Sequence, residues 1–184
     1  MLGSLENGQF FSEYEVARLR ELGLWQESHT TPEKLAFGAL MLAPIMQVDM
    51  QNRSVSNGEF SVIEDFVRKI EDDFELATED DLESIGTDMG LLPMVQSTWD
   101  TSKYLTARAL LAGAIERLSE KEAHHVRNAI AKATLDVARA GTGHIIGIHH
   151  ITKGEKPLLH QIAHELRLET TSEGLHLLGQ SEEG

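Results

Sequence analysis

An all-α domain is the fold this sequence predicts, and three observations carry the expectation. The chain is rich in Ala, Leu and Glu and has only four prolines in 184 residues, a composition that favours helices. No stretch alternates β-branched and polar residues with the period of two that a half-buried strand shows. One helix-start pattern occurs twice, 96 residues apart: Val55-Ser56-Asn57-Gly58-Glu59 and Ile151-Thr152-Lys153-Gly154-Glu155. In each copy a hydroxyl residue is followed three positions later by Glu, the signature of a capping box. The apolar residues behind the two copies also match. Val62, Ile63 and Phe66 fall at the offsets of Leu158, Leu159 and Ile162.

The elements follow in order. Residues 1–11 show no periodicity and read as a flexible lead-in. Ser12 with Glu15 forms a capping box, and Val16, Leu19 and Leu22 mark a short amphipathic helix that Gly23 ends. Thr31-Pro32 opens the next helix with Pro at its first position. Leu35, Ala39, Leu42 and Met46 form its inner face, and Pro44 is expected to kink it or shift its end. Gln47 to Val55 reads as a short polar loop holding Asp49, Gln51, Asn52 and Arg53. The first repeated helix runs about 57–75. Glu79 to Leu92 is broken into turns by Gly86, Gly90 and Pro93. A helix from Ser102 to Leu118 is apolar nearly all round from Ala107 to Ile115, apart from Arg108, and is expected to be central. Ser119 with Glu122 is a further capping box. It opens a long helix with Val126, Ile130, Ala133, Val137 and Ala140 on one stripe, stopped by Gly141. The loop to Ile151 holds His144, His149 and His150. The second repeated helix covers about 153–167, and residues 169–184 read as a polar tail.

This pattern is expected to give one helical domain over 12–168, with two pseudo-symmetric helix-loop-helix units around a helical middle. The length suffices for a single core. A formal charge of −14 argues against nucleic-acid binding and suits a solvated surface or the capture of cations. The acidity concentrates between Glu59 and Glu83, with eleven acids against two bases. The chain has no cysteine, which excludes thiolate zinc sites, disulfides and thiol catalysis. No apolar run reaches membrane-spanning length and no secretory leader is evident, so a cytoplasmic location is expected.

Candidate chemistry gathers at the two repeats. Glu59 and Glu155 each head the apolar stripe of their own helix and lean toward the interior. A carboxylate there serves either as a helix cap or as a metal ligand, and both readings stand. Asp49, Asn52 and Glu59 offer oxygen donors suited to a hard cation such as Mg²⁺, Ca²⁺ or Mn²⁺, although the spacing is not that of an EF-hand. His149 and His150 with Glu155 would form a softer site, suited to Zn²⁺, Fe or Ni. Eight of the nine histidines follow residue 123. His160 and His164 point away from the stripe of their helix and are expected to face solvent. Glu122 and His125 form an i,i+3 pair of the kind found in di-iron bundles, in one copy only. No nucleophile elbow, phosphate loop or dinucleotide fingerprint occurs.

An apolar helix, an Asp in a short polar loop, a hydroxyl-x-Gly-Glu helix start and an amphipathic helix together resemble the TerB family, associated with tellurite resistance and stress responses. Leu35 to Ile70 carries the resemblance best, with Asp49 and Glu59 as the matching acids. The second copy, about Ala129 to Leu168, keeps Ile151 to Glu155 and the ending Ile162-Ala163-His164-Glu165-Leu166, but offers histidines where an Asp is expected. The resemblance implies an all-α domain of about seven helices whose acidic positions hold a metal ion. It implies a non-catalytic protein acting through protein partners or self-association. The alternative is a metalloenzyme or metal-storage bundle using Glu122, His125, His149, His150 and Glu155.

Overall fold

The computed structural model describes residues 2–5, 9–27, 31–51, 57–74, 99–140 and 155–182. Among them are seven α-helices, two 3-10 turns and no strand. The helices are α1 (Glu13–Glu21), α2 (Pro32–Gln51), α3 (Asn57–Phe74), α4 (Thr101–Glu116), α5 (Glu120–Ala140), α6 (Glu155–Glu165) and α7 (Ser172–Glu182). The 3-10 turns are Gly3–Leu5 and Leu168–Thr170. No helix among the described residues is long and apolar enough to cross a membrane.

Local chemistry accounts for the helix ends. The Ser12 hydroxyl accepts from the Glu15 amide, and the Glu15 carboxylate accepts from the Ser12 amide at 2.8 Å. The far end of α1 closes with the Leu24 amide donating to the Leu19 carbonyl and the Gly23 amide to that of Arg20. Gly23 has a φ of 75°, a conformation glycine adopts without a Cβ clash. Pro32 is the first residue of α2, as expected. Asp100, rather than a hydroxyl residue, caps α4 by accepting from the Lys103 amide at 2.9 Å. The Ser119–Glu122 box opens α5.

Helix α2 is the core of the fold. It packs against α3, α4, α5 and α6, and every residue from Leu35 to Ile45 is buried. Pro44 does not end it. The helix continues to Gln51, so Gln47 and Asp49 lie in its last turns rather than in a loop. A proline removes one backbone donor, and packing of Leu42, Ile45 and Val48, each 0 % exposed, holds the flanking turns. The expectation that α4 would be central is corrected too. Leu111 and Ala114 are buried, but Leu105 is 42 % exposed and Ala109 faces solvent. α4 is a flanking helix with one open face.

The described parts of both chain ends are packed. Leu2, Leu5 and Phe11, from the segment read as a flexible lead-in, are buried. The Phe10 amide donates to the Glu33 carboxylate on α2 at 2.9 Å. The Arg117 guanidinium lies 5.0 Å from the Phe10 ring centre and 5.8 Å from that of Phe11, and pairs with Glu15 at 2.9 Å. At the other end, the segment read as a polar tail forms α7, which packs on α5 and α6. Thr171 is its buried cap, accepting from the Gly174 amide at 3.0 Å. A Cβ at Gly174 would lie 1.7 Å from the Leu168 carbonyl oxygen, so only glycine lets α7 approach the preceding turn.

Candidate functional site

Asp49, Arg108 and Glu155 are the fully buried charged side chains among the described residues. They come from three helices that touch one another: α2, α4 and α6. Burying a charge is unfavourable unless it is paired or hydrogen-bonded. The three positions therefore mark where the interior is polar by necessity.

Asp49 is 3 % exposed, near the end of α2. Its negative charge is felt by Tyr104 in the first turn of α4. Burial, and then Asp49, push the Tyr104 hydroxyl up to about 12. The Tyr104 hydroxyl donates to the Met50 sulfur at 2.9 Å, and its ring meets Trp99 edge-on. The seam thus joins the C-terminal end of α2 to the N-terminal end of α4. Glu155 is the first residue of α6 and is 1 % exposed. The inward lean expected of this glutamate is found. Asp49 and Glu155 each make further polar or electrostatic contacts within the chain, so burial alone does not demand a cation at either.

Arg108 is the residue that sequence reasoning passed over, noting it only as a break in an apolar segment. Its side chain is 0 % exposed, and its Nε lies 3.2 Å from a Glu165 carboxylate oxygen. None of its three nitrogens makes a hydrogen bond among the described residues. Burial pulls its pKa down and the Glu165 charge pushes it back up. Glu165 is one-third exposed and also accepts from the Gln161 amide group at 3.0 Å. A lone charge inside an apolar segment was the available signal, since such a residue must find a counter-charge if the helix is buried.

Glu122 has the opposite role to that of a metal ligand. One oxygen accepts from the Ser119 amide at 2.9 Å and from the Ser119 and Ser4 hydroxyls at 2.6 Å each. The other accepts from the Ser4 amide at 3.2 Å. Burial pushes its carboxyl up, but these bonds outweigh burial and hold it at about 2. His124, His125 and His164 are exposed, so His164 faces solvent as expected, whereas His160 is half-buried and makes a contact within the chain.

The remaining sequence candidates fall elsewhere. Glu59 lies in the first turn of α3, and its side chain is outside the described residues. His149 and His150, the caps Ser56 and Thr152, and the 79–92 turns are also outside them. Among the described residues no three His, Asp or Glu side chains assemble into a metal-holding group. Comparisons with family models, with curated proteins and with solved structures give no match for this chain.

Proposed function

We propose that this chain is a non-catalytic, TerB-like helical protein that holds a divalent cation and works through protein partners or self-association. Asp49 with Glu59 would hold a hard cation such as Mg²⁺, Ca²⁺ or Mn²⁺. Glu155 with His149 and His150 would form the softer site, suited to Zn²⁺. The observation that carries the reading is that each repeat contributes one carboxylate at 3 % exposure or less: Asp49 and Glu155. An interior carboxylate is retained where it has a ligand or donors to meet.

The packing supports a pseudo-twofold arrangement. The first helices of the two units, α2 and α5, pack on each other. Each second helix touches the opposite first helix, α3 on α5 and α6 on α2. The alternative bundle chemistry is less favoured because both Glu122 oxygens are engaged, by hydrogen bonds from the cap residue Ser119 and from Ser4.

Isothermal titration with Mg²⁺, Ca²⁺, Mn²⁺ and Zn²⁺, paired with melting in each metal, tests the proposal. A ligand of the native state raises the melting temperature by mass action. Asp49→Asn is expected to abolish the hard-cation response and leave Zn²⁺ binding intact. Replacing His149 and His150 together by Ala is expected to do the reverse. No binding of any of the four at millimolar levels would leave both buried carboxylates as structural groups and end the metal reading.

A further inference from the structure

The sulfur chemistry of this chain rests on methionine alone, since it has six methionines and no cysteine. Among the described residues Met41 is 0 % exposed and Met46 is half-buried. Met50, in the last turn of α2, is 38 % exposed. A thioether is oxidised where an oxidant reaches it, and of these three side chains Met50 is the one open to solvent.

The Met50 sulfur is also held on its inner side. The Tyr104 hydroxyl, in the first turn of α4, donates to Met50 Sδ at 2.9 Å, and this is its one hydrogen bond among the described residues. Tyr104 is 3 % exposed, and Trp99 packs edge-on against its ring with 5.3 Å between centres. A phenol packed in this way cannot turn to water for another partner. A thioether sulfur carries two lone pairs. Tyr104 engages one from the interior and leaves the other toward solvent. Sulfur is a weak acceptor, so the bond depends on the electron density that the sulfur keeps.

We propose that Met50 is a modification site for hydroperoxides, oxidised at its outward lone pair, and that Tyr104 both sets which sulfoxide epimer forms and responds to its formation. The outward lone pair attacks the hydroxyl oxygen of the hydroperoxide and the O–O bond breaks. The proton of that oxygen leaves with the departing alkoxide as an alcohol, or with hydroxide as water. Sulfur loses two electrons and the peroxide gains them. A sulfoxide sulfur is a stereocentre, so attack from one side gives one epimer. The new oxygen draws electron density from the sulfur, and the phenol loses its acceptor inside the seam between α2 and α4. A buried donor left unpaired costs stability. None of these steps depends on the cation reading.

Treatment of the full chain with hydrogen peroxide in the presence of a chelator, followed by peptide mapping, tests this. Met50 is expected to oxidise before Met41 and Met46 and to give one epimer in excess. Chromatography of its peptide and epimer-specific sulfoxide reductases read the ratio. Tyr104→Phe removes only the hydroxyl and is expected to give both epimers in nearly equal amounts. The oxidised parent is expected to melt roughly 3 °C below the untreated chain, with no such drop in Tyr104→Phe or Met50→Leu treated alike. Equal epimers in the parent, the same excess in Tyr104→Phe, or an equal drop in the melting temperature of Met50→Leu would each overturn the proposal.

Discussion

Helices α2 and α4 look alike as strings and behave differently as parts. Both carry long apolar segments, and in α4 the residues from Ala107 to Ile115 are apolar on nearly every side of the helix. In the fold α2 is enclosed by four helices, whereas α4 keeps Leu105 and Ala109 toward solvent and buries Arg108. The contrast teaches that the width of an apolar stripe sets how much of a helix is able to be buried. Both helices touch four others, so how much of its circumference those neighbours cover, and not their number, decides how much is buried.

The sharpest test of the contrast is truncation of matched leucines. Leu40 on α2 is 0 % exposed, and Leu40→Ala is expected to cost about 3 kcal/mol, the usual loss for a large-to-small change in a packed core. Chemical denaturation reads it. A loss below about 1 kcal/mol would mean that α2 is not enclosed.

The next test separates the two members of the α4–α6 ion pair. Glu165→Gln leaves the Arg108 charge buried without its counter-charge and is expected to cost about 2 kcal/mol. This is less than for a fully buried pair because Glu165 is partly exposed. Arg108→Met removes the charge altogether and is expected to stay within about 1 kcal/mol of the parent, since apolar replacements of buried ions are often neutral. If the two variants lost equal stability, the cost would come from packing and not from charge.

The seam between α2 and α4 gives a pH test. The Tyr104 pKa is raised in the fold, from 10.0 to about 12. A raised pKa contributes stability that is fully present below 10 and lost as pH rises through 12. Between those values the parent is expected to lose melting temperature more steeply than Tyr104→Phe. Parallel curves would place the phenol in contact with solvent.

The smallest effect belongs to the open face of α4. Leu105→Ala is expected to change stability by less than about 0.5 kcal/mol, as surface substitutions do. A larger loss would show that this face is covered in solution.

The sequence by itself determined the all-α class and four of the helix ends. Ser12 with Glu15, Ser119 with Glu122, Pro32 and Gly23 all act where they were read. Their interactions close within one turn of backbone, so residues three or four apart contain the whole cause. Tertiary structure alone decided that α2 runs on through Pro44, that Asp49 lies in a helix, and that α4 keeps an open face. It also decided that Arg108 meets Glu165 and that Glu122, legible as a cap for Ser119, also holds Ser4. These outcomes join segments far apart in the chain. Burial depends on which faces meet, and no local pattern encodes the partner on the other side.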